Sequence, residues 1–373
     1  MTSFVESCVE ATIDSANRAV RLSRGRPTVN RLLKVLSGKT NILVTSHMHP
    51  DPDAMASALG MTHLLSRELV GSSVTMSIKG QMGGWLNSEF ARLSALPLTP
   101  WDDAKVSTFD AIVLMDVQPS FAYSPLPPGV MPTAVIDHHR GQGRKPRVPF
   151  CDIRTDVGAC TSIVFSYLME RDIPISSVMA ASLLYAIETD LVGAAGTPGQ
   201  LDNVALSSLT LLADPHKLQA MRHAALPRGF YVAMHKAIET AVVTNTTDAP
   251  KDGGVLFSFL EKVESPEMPA VVADFMLRYD QADWVLASGV HDNRLVLSLR
   301  TTNPRASAGE MMRRILRRLG EGGGHRTKAG GFVLLETASA AEVERIRKLL
   351  RARLLKVLGY PSDTRLSRLL PAT

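Results

Sequence analysis

The stretch His47-Met48-His49-Pro50-Asp51-Pro52-Asp53-Ala54 stands directly after the apolar run Ile42-Leu43-Val44. One histidine and two carboxylates on a tight loop at the end of a short buried strand make a candidate metal site. Ligands of this kind emerge at the carboxyl ends of strands in open α/β sheets. Imidazole nitrogen with carboxylate oxygens suits manganese, and also magnesium or iron, whereas the absence of thiolate argues against structural zinc. The alternative for this loop taken alone is a solvated acidic turn capping the next helix, since aspartate in a first turn favours the helix dipole.

The arrangement recurs three times. Asp116 follows Ile112-Val113-Leu114-Met115, and a carboxylate leaving such a strand is costly unless paired or metal-bound. Asp137-His138-His139 follows Ala134-Val135-Ile136. Adjacent histidines on extended backbone point to opposite sides, so one reaches a metal while the other faces substrate or supports the ligands. Asp190 closes the helical stretch Leu183-Leu184-Tyr185-Ala186-Ile187-Glu188-Thr189. Taken singly, Asp116 reads equally as a turn residue, the histidines as a surface pair and Asp190 as a helix-end carboxylate. Together they supply two histidines and four acids. That is enough for two divalent ions ~3.5 to 4 Å apart, which share a bridging hydroxide and clamp the oxygens of a phosphate attacked in line.

A second cluster lies far along the chain, where Gly322-Gly323-Gly324-His325-Arg326 precedes Ala329-Gly330-Gly331. Consecutive glycines let backbone N–H groups approach an anion and form a phosphate nest. His325 and Arg326 add charged donors, and Arg300 ends the strand Leu295-Val296-Leu297-Ser298-Leu299. The alternatives are a flexible turn for the glycines and an exposed strand-end arginine for Arg300.

These residues need a scaffold, and the pattern supplies one. From residue 41 short β-branched runs alternate with helical stretches, the signature of a parallel α/β sheet. Strands are expected at 42–46, 73–78, 110–115 and 133–136. Helices are expected at 54–70, 160–171, 177–189, 202–213 and 228–243. The polar, turn-rich segment 244–254 reads as a linker. Beyond it, strands at 255–260, 283–289, 294–299 and 331–335 and helices at 307–319 and 340–357 read as a smaller α+β domain. Residues 1–39 read as one or two amphipathic helices, with packing or a homodimer contact as their default role. The expected organisation is thus a helical segment 1–39, a catalytic domain 40–243, the linker 244–254, a second domain 255–357 and a loosely held tail 358–373.

Bulk properties agree with a two-domain enzyme. The chain has 373 residues, 45% hydrophobic and 21% charged, and exceeds the size at which one core keeps growing. Forty-one Lys and Arg against 36 Asp and Glu give a formal charge of +5, which fits an anionic substrate without indicating long duplex binding. Three cysteines without CxxC spacing exclude a disulfide framework and point to a reducing cytoplasm. No apolar run reaches the ~18 to 20 residues of a membrane helix.

The ordered set of motifs resembles the DHH phosphoesterase family, whose triplet stands here as Asp137-His138-His139, over roughly residues 40–335. The glycine-histidine loop with Arg300 is similar to the DHH-associated C-terminal domain. The branch it looks most like is the oligoribonucleases (nanoRNases) that also dephosphorylate 3′-phosphoadenosine 5′-phosphate. The resemblance implies a parallel-sheet α/β domain followed by a smaller α+β domain, with the substrate cleft between them. It implies two divalent ions, most simply Mn2+, with Mg2+ or others as substitutes. His47, Asp51 and Asp116 would hold one ion, and Asp53, Asp116, His138 and Asp190 the other. His139 and the bridging Asp116 would be the catalytic pair. Arg300, Gly323, Gly324, His325 and Arg326 would bind substrate, a short single-stranded oligonucleotide or small nucleotide. A cyclic-dinucleotide phosphodiesterase is the nearest alternative. A non-catalytic nucleotide-binding regulator is disfavoured because every expected ligand is present.

Overall fold

Five short runs form the first sheet of the computed structural model, which describes residues 17–370 apart from 20, 24, 81–83, 142–145, 192–197, 245–252, 304 and 325. The strands are β1 (Asn41–Ser46), β2 (Ser73–Met76), β3 (Ala111–Met115), β4 (Ala134–Asp137) and β5 (Phe150–Ile153). They lie in the order β2-β1-β3-β4-β5, and all neighbours are parallel. Parallel strands require crossovers, so every carboxyl end opens on the same edge. β1, β3 and β4 are adjacent, and the loops that leave them carry His47, Asp116 and His138.

Helices clothe this sheet: α1 (Val29–Leu36), α2 (Pro52–Glu68), α3 (Gly84–Leu93), α4 (Cys160–Glu170), α5 (Ser177–Leu191), α6 (Gln200–Leu212) and α7 (Pro215–Arg222). α2 is buried along nearly all of its first four turns, from Asp53 to Leu65, as befits a helix sandwiched between sheet and neighbouring helices. At Gly60 a Cβ would stand 2.8 Å from the Val164 side chain, so the missing side chain is what lets α2 approach α4. α3, α7 and β5 have no counterpart in the sequence reading. β5 was hidden because Asp152 interrupts its apolar pattern. That carboxylate is buried and satisfied by Arg154 (Nε 2.9 Å, Nη2 2.7 Å) and the Tyr167 hydroxyl (2.6 Å).

Residues up to Leu191 together with 198–224 form this unit, and residues from Ala225 onward form the other. The second unit thus begins before the composition shift at 244. The reason is pairing: after α8 (Arg228–Glu239), β6 (Val242–Thr244) joins the second sheet. That sheet adds β7 (Val255–Lys262), β8 (Trp284–His291), β9 (Arg294–Thr301), β10 (Glu321–Gly324), β11 (Lys328–Leu334) and β12 (Leu366–Arg368). α9 (Met268–Met276), α10 (Ala308–Leu316) and α11 (Ala340–Val357) complete the unit. The strand order is β10-β11-β9-β8-β7-β6-β12, with only β7 and β8 parallel. The tail expected to be loose is tied down through Leu366–Arg368, which pairs with β6.

Candidate metal centre

Seven side chains of the first unit converge above the β1, β3 and β4 ends. His47 follows β1 directly, and its Nε2 lies 3.6 Å from Asp116 Oδ2 and 4.0 Å from Asp51 Oδ1. Its other nitrogen faces the Met48 carbonyl oxygen at 3.0 Å, which sets the ring's orientation. Asp51 is the N-cap of α2, and its Oδ1 accepts from Ala54 N–H at 2.9 Å. The capping alternative for this residue is therefore real, and it coexists with a position facing His47.

Asp53 sits in the first turn of α2 and is 1% exposed. Its carboxylate accepts N–H bonds from Cys160 (2.7 Å) and Thr161 (2.8 Å), the first two residues of α4. Ala159, the N-cap of α4, has no side-chain cap, so Asp53 caps that helix from a distance of more than a hundred residues. This supporting role was not visible in the sequence, because no local spacing relates residue 53 to residue 160.

Asp116 leaves β3 with φ of 57° and is 1% exposed. Aspartate tolerates this left-handed conformation better than most residues, and the Asp116 N–H still pairs with Ile136 O of β4 at 2.8 Å. The turn aims the carboxylate inward. Oδ1 stands 3.3 Å from His138 Nε2 and 3.4 Å from His139 Nδ1. That oxygen is buried and, among the described residues, has no hydrogen-bond partner. His138 Nε2 also faces Asp190 Oδ2 at 3.6 Å and Asp53 Oδ2 at 3.8 Å. Asp190 lies in the last turn of α5, where the helix dipole disfavours a carboxylate. A cation facing it would offset that field.

The two adjacent histidines do not diverge as extended backbone would have them. Both ring nitrogens approach Asp116 Oδ1, and the ring centroids are 4.4 Å apart. Asp137 is the cause. Its Oδ1 accepts the N–H of His138 (2.8 Å) and of His139 (3.1 Å) and faces His139 Nδ1 at 2.8 Å. This folds the backbone around one oxygen. Gln118 Nε2 donates to Asp137 Oδ2 (2.8 Å) and to His139 O (3.0 Å), which fixes the arrangement from the other side. Gln118 had no signal in the sequence, while Asp137 was visible only as the first letter of its triplet.

Three trios result, each with ligand atoms within 4.8 Å of one another: His47, Asp51 and Asp116; Asp53, His138 and Asp190; and Asp116, His138 and His139. The donor set fits hard divalent ions. It is rich in carboxylate, its N···O separations are too long for good hydrogen bonds, and its central oxygen is buried without a donor. His47, Asp51, Asp53, Asp116, His138 and Asp190 would hold such ions.

Without metal the electrostatics are strongly perturbed. Burial disfavours a charged His47, but the Asp116 hydrogen bond and the Asp51 and Asp116 charges outweigh it and raise its pKa to about 9. His138 is also disfavoured by burial and by the His139 charge, yet Asp116 and Asp190 bring it to about 9. Burial would raise Asp116, but His139, His138 and His47 hold it well below the carboxylate range. Asp53 is pushed well above that range by burial and by the Asp116 and Asp190 charges.

A pH dependence follows. With folded pKa values raised to about 9, His47 and His138 carry protons at pH 7, and coordination needs the neutral imidazole. Divalent-ion affinity is expected to rise between pH 7 and 9, with about one to two protons released per dinuclear site loaded at pH 7. Calorimetric titration of Mn2+ in buffers of different ionisation enthalpy reads this directly. A heat independent of buffer would overturn the assignment of these histidines as ligands.

The residues expected to bind substrate fall in the second unit. Gly323 and Gly324 belong to β10 and pair with Gly330 and Ala329 of β11. The glycine run is therefore an edge strand of the sheet, where a loop was expected. Close approach of α10 needs missing side chains on both elements: a Cβ on Gly322 would lie 2.6 Å from the Leu316 side chain and 2.7 Å from that of Met312, and a Cβ on Gly309 of α10 2.2 Å from Gly324 O. Arg300, in β9, is largely buried. It is bound by Asp274 (Nε 2.5 Å), Ser298 Oγ (2.7 Å) and the Leu299 and Ala329 carbonyls. Arg326 is exposed, and His325 lies outside the described residues.

Residues 41–187 match the family model described as "DHH family, N-terminal domain". The uncharacterized protein MJ1633 of Methanocaldococcus jannaschii is 27% identical over 330 residues, 87% of this chain and 66% of that protein. The chain thus spans just under two thirds of that relative's length. The crystal structure of an exopolyphosphatase-related protein from Bacteroides fragilis is similar in fold, with a TM-score of 0.66 at 16% identity. That likeness covers 88% of this chain and 96% of the other. No described helix is long and apolar enough to cross a membrane.

Proposed function

From a DHH-family N-terminal domain at residues 41–187, we propose a metal-dependent phosphoesterase that hydrolyses short single-stranded oligonucleotides, down to dinucleotides, and 3′-phosphoadenosine 5′-phosphate. The observation that carries this reading is the Asp116 carboxylate. It is buried, has one oxygen without a donor, and is shared by two of the three ligand trios. Two divalent ions, most simply manganese, would supply an activated water and neutralise the phosphate oxygens.

The chain's own residues then have separable tasks. Asp116 gathers His47, His138 and His139 around one charge. Asp137 orients His139 through Nδ1, which leaves Nε2 as the nitrogen available to a phosphate oxygen. Burial opposes charge on His139, but Asp116 and Asp137 keep it well above the ordinary histidine range. Its Nε2 is placed to donate to a phosphate oxygen. Phe121 and Tyr123 pack edge-on to His139 and His47 respectively, which limits ring rotation. Recognition beyond the scissile phosphate is assigned to Gly323, Gly324, His325 and Arg326, and Arg300 ties β9 to β11 through Ser298 Oγ and Ala329 O.

The test is kcat/KM on a dinucleotide, a ten-residue RNA, 3′-phosphoadenosine 5′-phosphate and a cyclic dinucleotide, all with Mn2+. The dinucleotide is expected to exceed the ten-residue RNA by at least tenfold. A preference for the cyclic substrate, or no turnover of any member, would overturn the reading.

A further inference from the structure

The second unit carries a strongly basic groove that the proposed reaction does not use. It is lined by Arg314, Arg317, Arg318, Arg353, Lys356 and Val357, with a volume of about 360 Å³. The walls are the carboxyl ends of α10 and α11. We propose that this groove binds the phosphodiester backbone of single-stranded nucleic acid.

The bland explanation is that basic residues offset the negative ends of two helices, and charge magnitude decides against its sufficiency. Two helix C-termini carry together about one negative charge. Arg353 answers much of it, since its Nη1 donates to Ile315 O (2.6 Å) and Arg317 O (3.1 Å). Arg314 is bound by Glu310. Arg317, Arg318 and Lys356 are exposed and have no ion-pair partner among the described residues. Five cations, less Glu310 and about one helix-end charge, leave roughly three uncompensated charges in one groove. Like charges gathered this way repel unless an anion joins them.

The character of the cations selects the anion. Four of the five are arginines, whose planar forks match phosphate oxygens in pairs. Arg318 stands one residue beyond the α10 C-cap with φ of 60°, a position that glycine normally fills. Keeping an arginine there carries a backbone penalty, consistent with a use for its side chain. The volume lies in the range that holds a nucleotide-sized ligand, and half-exposed Val357 gives an apolar surface for a base. The site does not depend on the reading of the metal centre.

The test uses the full chain with Mn2+ and a fluorescent ten-residue 2′-O-methyl phosphorothioate strand, which resists hydrolysis. Anisotropy is followed against KCl for the wild type and the Arg317→Glu/Lys356→Glu double variant. The variant is expected to bind at least tenfold more weakly and to lose about 1.4 from the slope of log affinity against log salt, two phosphate contacts at ~0.7 each. Its turnover of bis-p-nitrophenyl phosphate should match the wild type. Equal affinity and slope in the two proteins would overturn the proposal. So would displacement of the strand by pentaglutamate as readily as by unlabelled strand. Inorganic pyrophosphate displacing the strand only at far higher concentration supports a chain; equal potency would overturn it in favour of a small-anion site.

Discussion

Asp116→Asn is expected to reduce kcat/KM for any phosphodiester substrate by about a thousandfold, roughly 4 kcal/mol of transition-state stabilisation. The substitution is conservative in shape. Asparagine tolerates the left-handed backbone at 116 as aspartate does, and the Asp116 N–H bond to Ile136 O is untouched. What changes is the charge that His47, His138 and His139 face at 3.6, 3.3 and 3.4 Å. A second reading separates this from misfolding. In the metal-free variant His47 and His138 lose the interaction that outweighs their burial, so their pKa values fall from about 9. Asp51 still favours charge on His47 and Asp190 on His138, so the fall is toward the ordinary histidine value. Proton NMR titration of the imidazoles would show it. Retention of a tenth of the activity, or unchanged histidine titration, would refute the central place given to this carboxylate.

Asp53→Ala should damage stability as well as activity. The two α4 N–H groups it accepts belong to Cys160 and Thr161, both fully buried. Leaving each unpaired costs about 1–3 kcal/mol, so the pair represents roughly 2–6 kcal/mol. For a unit of this size the loss corresponds to a fall in Tm of about 4–24 °C. Asp53→Asn keeps one acceptor oxygen and should lose about half as much. A further difference concerns metal. Ions that bind only the folded state raise Tm by mass action, so Mn2+ should lift Asp53→Ala less than the wild type, because only the His47, Asp51 and Asp116 trio is left intact. A variant that melts with the wild type would show that α4 does not need this cap. One that gains as much stability from Mn2+ as the wild type would remove Asp53 from the ligand set.

The contrast between these two residues shows how far sequence reasoning reached. Both were legible as candidate ligands from residue type and from their place after a strand. The α4 cap was legible for neither, because it joins residues 53 and 160 through the packing of α2 on α4. β5 escaped notice for a related reason. Asp152 breaks the apolar pattern, and only the folded chain brings Arg154 and Tyr167 to satisfy it. The glycine run was read by composition as a loop. It is strand β10, since close approach of α10 to a sheet edge needs the same missing side chains as a phosphate nest.

Local sequence sets the alternation of strands and helices, the residue types at the strand ends and hence the chemistry available there. Those are local matters: a period of two or 3.6, a run of β-branched residues, a carboxylate after it. The tertiary structure decided which ends meet. Placing β1, β3 and β4 side by side brings His47, Asp116 and His138 together, and α5 delivers Asp190 from the far end of a helix. Asp137 turns both histidines toward one oxygen, against the alternation that extended backbone predicts. Each of these outcomes depends on pairing and packing between distant segments, which no local pattern encodes.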